Sequence, residues 1–179
     1  MGETTNRHIV MAAMMVATFL AAIEGTVVST AMPTIVGDLH GMHLMNWVFS
    51  VYFLLSAVTV PVFGKLADLF GRKKIFITGT FIFLIGSTLC GLSQSMVQLI
   101  AFRVIQGIGA GALLPVTATI VADIYPYEQR AKMLGFISLV WGISGVAGPL
   151  VGGFFVDQLT WHWIFFINIP FGITTVIMV

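Results

Sequence analysis

Four of the chain's eight lysines and arginines, Lys65, Arg72, Lys73 and Lys74, are packed into one short stretch, Gly64–Lys74. The sequence on either side, Leu44–Phe63 and Ile75–Leu92, carries almost no charge. Each flank is long enough to cross a hydrocarbon core as a helix, at ~1.5 Å of rise per residue. The pattern predicts a tight charged hairpin between two membrane spans. Short loops rich in Lys and Arg stay on the cytoplasmic side, so this hairpin sets the orientation and the other spans alternate around it.

Composition agrees. Charged residues make up 8% of the chain, against ~25% in ordinary soluble domains. Mean hydropathy is +1.03, and a soluble fold of this composition would lack polar surface to cover itself. The single cysteine, Cys90, lies in an apolar run and reads as a buried apolar residue, with no disulfide framework available. Net charge is +1, with no basic cluster outside the loops, so a nucleic-acid partner is not expected. Arg7 followed by Ile9–Ile23 and Ala21-Ala22 imitates a secretory signal, but apolar sequence resumes beyond Glu24 and five further apolar segments follow. A retained first span is the better reading.

Spans are predicted at about 9–31, 44–63, 75–92, 96–122, 133–156 and 163–179, the last still apolar at Val179. Pro33 is expected to end the first, with Thr34–His43 as the next loop. Arg7, Lys65, Arg72, Lys73, Lys74, Arg130 and Lys132 then fall on one side and Arg103 falls inside a span, while the opposite loops hold no Lys or Arg. This predicts a multi-pass protein of the cell membrane with a cytoplasmic N-terminus. The chain also repeats itself. Leu55–Gly64 lies over Ile143–Gly152, Lys74-Ile75-Phe76 over Trp163-Ile164-Phe165, and Thr34–Asp38 over Thr119–Asp123. Spans 1–3 thus map onto spans 4–6. Since three is odd, the second unit enters from the other side, an inverted-topology repeat of the kind that builds secondary transporters.

Glu24 and Arg103 carry the cost. A charge near the middle of a bilayer costs ~2.5–3.5 kcal/mol on insertion scales and faces a partner or a cavity. The helical rise puts both at similar depth in spans 1 and 4, so an ion pair is reasonable, and Gln106 lies one turn from Arg103 on the same face. Separating and rejoining such a pair would load and release a proton. A permanent structural salt bridge is the plainer alternative. In span 5, Gly142, Gly145, Gly148, Pro149, Gly152 and Gly153 give a face of nearly bare backbone, suited to close packing and to bending. Gly107, Gly109 and Gly111 do not make a dinucleotide loop, because no strand precedes them and the spacing is wrong. They predict close packing of span 4. His40 and His43 have no further ligands nearby, so no metal site is expected. Met11, Met14, Met15 and Phe19 read as lipid-facing or bundle packing.

These motifs resemble the major facilitator superfamily, and within it the drug:proton antiporters of the fourteen-span type. Gly64–Lys74 is similar to the family's loop between spans 2 and 3, and Arg103–Gly109 to its span-4 motif. Gly145–Gly153 resembles the span-5 motif of antiporters, Ile23–Pro33 that of span 1, and Trp161–Asn168 the pattern at span 6. The resemblance implies an all-α integral membrane protein, the N-terminal bundle of the facilitator fold, with five spans and the start of a sixth. It implies that Glu24, Arg103 and Gln106 take part in proton coupling. In Gly64, Asp68, Gly71, Arg72 and Lys73 it implies a cytoplasmic gating loop, Asp68 latching onto a helix of the missing C-terminal half. In the span-5 glycines and Pro149 it implies a hinge. It further implies a multidrug exporter of small lipophilic, cationic substrates, driven by protons, with no cofactor and no enzymatic activity. Glu24 stands where the family usually has Asp, and His162 where it usually has Arg. A transporter of one specific metabolite, or a non-transporting membrane sensor on the same fold, would carry the same loop motifs. Without the remaining spans to close the cavity, this fragment alone is not expected to transport.

Overall fold

A computed structural model describes residues 7–179 of the chain. Among these residues every regular element is helical: α1 (Arg7–Leu39), a single 3-10 turn (Met42–Leu44), α2 (Met45–Phe70), α3 (Arg72–Gly91), α4 (Met96–Ile124), α5 (Tyr127–Gln158), α6 (Trp163–Phe166) and α7 (Asn168–Met178). The helices α1 to α5 are long and apolar enough to cross a membrane, and α6 with α7 forms a shorter apolar helix interrupted at Ile167. The fold is therefore the all-α bundle expected from the hydropathy pattern.

Helices α1 and α5 run past the expected spans at both ends and α2 runs past its own to Phe70, which corrects two expectations. Pro33 lies within α1 instead of ending it. Its ring removes one backbone hydrogen bond, but the turns beyond it are anchored by Ile35, which is fully buried, so the helix continues to Leu39. The charged stretch Gly64–Lys74 is likewise mostly helix. Charge ends the membrane-buried part of a helix, not the helix itself. Gly71 alone separates α2 from α3, and its φ of 94° is a backbone conformation that favours glycine. Its N–H closes α2 on the Ala67 carbonyl at 3.1 Å. The turn before α4 is specified locally. Ser95 Oγ accepts from Gln98 N at 3.3 Å, while Gln98 Oε1 accepts from Gln94 N at 2.9 Å, a reciprocal N-terminal cap.

Packing follows the repeat. α2 lies against α4, α5 lies against α1, and α3 and α7 flank the same core. Aligned unit on unit, Asp38 corresponds to Asp123 and Arg72 to Trp161. The structure pairs them crosswise: Arg72 forms a salt bridge with Asp123, and Trp161 Nε1 donates to Asp38 Oδ2 at 2.8 Å. In each case a residue at the entry to the third helix of one unit (Arg72 opening α3, Trp161 two positions ahead of α6) ties to the Asp near the close of the first helix of the other. The two helix crossings correspond too. Thr59 Oγ1 donates to the Ile108 carbonyl beside Gly111, and Thr26 Oγ1 donates to the Ser144 carbonyl beside Gly148.

The glycines of α4 do what close packing requires. A Cβ on Gly109 would overlap the backbone of Phe83 in α3, and one on Gly86 would overlap the backbone of Gln106. Met11 and Met14 are buried in the apolar core, with Met15 packed beside them. Gly86→Ala is expected to lower the thermal unfolding midpoint of the full-length protein in detergent, through an overpacking cost of about 1–3 kcal/mol. Gly37→Ala, where nothing lies within 4 Å of the new methyl, serves as the control and should leave the midpoint unchanged or slightly raised.

Candidate functional site

Helix α1 brings Glu24 to the middle of the bundle and α4 brings Arg103. Both side chains are shut away from the surface, at 2% and 0% exposure. Arg103 Nη1 donates to Glu24 Oε1 at 2.5 Å and to Gln106 Oε1 at 2.9 Å, while its Nε donates to the Val48 carbonyl of α2 at 3.2 Å. The guanidinium carbon sits 4.2 Å from the centre of the Tyr52 ring, on whose π face a cation is favoured. The predicted trio of Glu24, Arg103 and Gln106 is thus one cluster. Cys90 is buried as expected and adds a weak S–H bond to Gln106 Oε1 at 3.6 Å.

Two members of this cluster have no role assigned from the sequence, although Asn168 closes the Trp161–Asn168 motif. Asn168 opens α7, and its Nδ2 donates both to Glu24 Oε2 and to Ser87 Oγ, each at 2.9 Å. Ser87 in turn donates to the Phe165 carbonyl at 2.8 Å. An amide alone in an apolar segment was the available signal. Arg103 Nη2, Gln106 Nε2 and Asn168 Oδ1 are buried without a hydrogen-bond partner among the described residues. A buried charge pair with unused donors and an unused acceptor around it is a polar site poised for more than one arrangement.

The predicted gating residues lie together at the end of the bundle opposite Trp161. Arg72 is half-buried and links three helices: it meets Asp123 of α4, donates to the Thr119 carbonyl at 2.8 Å, and approaches Asp68 of α2 at 4.0 Å. Asp68, Gly71 and Lys73 are exposed and Gly64 is half-buried. Arg72 therefore ties the hairpin to this bundle, and Asp68 keeps an outward-facing carboxylate. The predicted hinge residues divide into two groups. Gly148 and Gly152 pack on α1, against Thr26, Val27 and Thr30. Gly142, Gly145 and Pro149 are exposed and Gly153 is half-buried, and an apolar groove of ≈ 570 Å³ runs along that face between Leu139 and Leu150. At the other end, the His162 ring stacks on Trp161 with centroids 3.8 Å apart. Partial burial holds its imidazole below the ordinary 6.5, against the opposing pull of the Asp38 carboxylate. Among the described residues no three His, Cys, Asp or Glu side chains gather as a metal site.

A family model described as the Major Facilitator Superfamily matches residues 14–179. The chain belongs to this superfamily. Among curated proteins, it is 43% identical over 178 residues to the multidrug transporter protein MdtP of Bacillus subtilis, covering 99% of this chain and 33% of that protein. It is 48% identical over 153 residues to multidrug resistance protein 3 of the same organism, covering 86% and 30%. It is 39% identical over 171 residues to the multidrug efflux pump SdrM of Staphylococcus aureus, covering 96% and 38%. The chain thus spans about a third of the length of these relatives. Solved major facilitator structures share the fold. A bacterial homologue of the human lysosomal transporter Spinster, inward-facing and occupied, superposes with a TM-score of 0.85 at 23% identity, over 99% of this chain and 44% of that one. The proton:xylose symporter XylE superposes at 0.82 with 14% identity, over 96% and 44%.

The buried pair generates a stability prediction for the full-length protein. Arg103→Met alone leaves a buried carboxylate unpaired and is expected to cost about 3–5 kcal/mol. The double variant Glu24→Leu, Arg103→Met removes both charges and should unfold at a distinctly higher temperature than the single one. Thermal unfolding in detergent reads the difference. Equal midpoints would mean that the loss comes from packing and not from the orphaned charge.

Proposed function

We propose that this chain forms the N-terminal bundle of a proton-coupled multidrug exporter of the drug:proton antiporter type, and that Glu24 is its proton-binding group. The observation that carries this reading is the Glu24–Arg103 pair, buried, hydrogen-bonded on both carboxylate oxygens and contributed by helices from both repeat units. Intramembrane carboxylates are expensive and are retained where they carry protons, ions or substrate. The relatives named as multidrug transporters support the substrate class. Substrates of such a protein are small and lipophilic, and a net positive charge suits exchange against protons. Energy comes from the proton gradient, with no cofactor.

In this reading the protein resides in the cell membrane with its N-terminus cytoplasmic, since the basic residues gather at that end. Asp68 latches the cytoplasmic side by meeting a helix beyond this chain, while Arg72 holds the hairpin against Asp123. Gly142, Gly145, Gly148, Pro149, Gly152 and Gly153 form the hinge along which α5 moves, the exposed members facing further spans that close the substrate cavity.

The full-length protein, expressed in efflux-deficient bacteria, should lower the accumulation of a lipophilic cationic dye, and a protonophore should restore it. Glu24→Gln should abolish gradient-driven efflux and Glu24→Asp should retain part of it. Near-normal efflux by Glu24→Gln would remove Glu24 from the mechanism. An unchanged accumulation of several unrelated dyes, with the protein present in the membrane, would favour a specific metabolite transporter or a sensor.

A further inference from the structure

The two oxygens of Glu24 have different partners. Oε1 is committed to Arg103, whose other bonds run to Gln106 and the Val48 carbonyl. Among the described residues, Oε2 bonds only the Asn168 amide. An ionised carboxylate accepts and cannot donate, so the amide presents its NH2 to it. One N–H of Asn168 serves Glu24 and the other serves Ser87, whose own hydroxyl proton goes to the Phe165 carbonyl. That carbonyl lies just before Ile167, the residue that separates α6 from α7. Asn168 Oδ1 is buried and unpartnered.

We propose that Asn168, braced by Ser87, is the positioning residue that registers whether Glu24 carries a proton and passes that state to the joint between α6 and α7. The inference rests on the proton-coupled reading of Glu24. A proton that reaches Glu24 adds to Oε2, because Oε1 is held by the guanidinium. The new O–H then points at two N–H groups, and donors do not bond donors. Rotating the Asn168 amide by about 180° about its terminal torsion, a soft two-fold rotor, resolves the conflict. Oδ1 now accepts the Glu24 O–H and the Ser87 O–H, and Nδ2 moves to the place Oδ1 had without a partner. Ser87 thereby leaves the Phe165 carbonyl, and the helix joint loses a brace. Only one O–H bond is made, Arg103 keeps its charge, and deprotonation reverses each step. The other titratable groups facing Glu24 are Arg103 from α4, Tyr52 from α2 and Cys90 from α3. Those of α5 lie near its ends, and α6 and α7 contain none.

The test uses the full-length protein in detergent and reads the pH midpoint of substrate-induced proton release, with a lipophilic cationic dye as substrate. Asn168→Leu preserves volume but removes the donor to the carboxylate. It should move the midpoint toward higher pH by about one unit, the size of a hydrogen bond to a charged group. Ser87→Ala should move it in the same direction by less. Asn168→Gln lengthens the amide arm by one methylene and Glu24→Asp shortens the acid arm by one. Each alone should displace the midpoint, and the double variant should restore it, which a packing role would not do. An unmoved midpoint in Asn168→Leu, alongside loss of proton release in Glu24→Gln, would overturn this inference and leave the proton-coupled reading intact. Normal release by Glu24→Gln would overturn both. Should Asn168→Leu fail to fold, Ser87→Ala carries the test, and an unmoved midpoint there would also overturn it.

Discussion

A carboxylate and a guanidinium shut inside an apolar bundle must answer each other, because either alone costs several kcal/mol. That requirement organises the molecule. Helix α1 supplies Glu24, α4 supplies Arg103 and Gln106, α2 lends the Val48 carbonyl and the Tyr52 ring, α3 gives Ser87 and Cys90, and α7 gives Asn168. Each of these helices is held at one depth and rotation by what it offers the pair. Helix α5 touches the cluster only indirectly, through its glycines against α1. It is the element least tied to the pair's geometry.

The sequence made the long apolar helices legible, since hydropathy is a one-dimensional signal. It also made the Glu24–Arg103 pair legible, because helical rise converts residue number into depth. Helix ends were not legible in the same way. An apolar run marks where lipid is met, and helices Met45–Phe70 and Tyr127–Gln158 extend well beyond theirs. Pro33 misled because a proline's local cost was outweighed by burial on either side of it. Asn168 was missed as a functional residue because its meaning depends on α7 approaching α1, a tertiary fact that no spacing encodes. The crosswise pairing of Arg72 with Asp123 and Trp161 with Asp38 needed both the internal repeat and the packing to be seen.

The repeat is faithful in architecture and free in chemistry. At the α2–α4 crossing the threonine is on α2 and the glycine on α4. At the α5–α1 crossing the glycine is on α5 and the threonine on α1. Either arrangement permits two backbones to approach and gives the hydroxyl a carbonyl to bond. One end of the bundle is tied by a salt bridge and the other by an indole N–H. The pair of opposite charges is open to screening by salt, and the bond from an uncharged indole to a carboxylate much less so. The two ends of one pseudo-symmetric bundle therefore answer differently to the ionic medium that bathes them.

The buried pair also bears on how the chain is made. Glu24 leaves the ribosome 79 residues ahead of Arg103 and 144 ahead of Asn168. At ~5–20 residues per second, the carboxylate waits about 4–16 s for its cation. Throughout that interval α1 is a hydrophobic helix with an unanswered acid in it, which lowers the gain of its insertion by ~2.5–3.5 kcal/mol. The bond at the centre of the bundle is therefore made late, only once the start of α4 has followed three complete helices out of the ribosome.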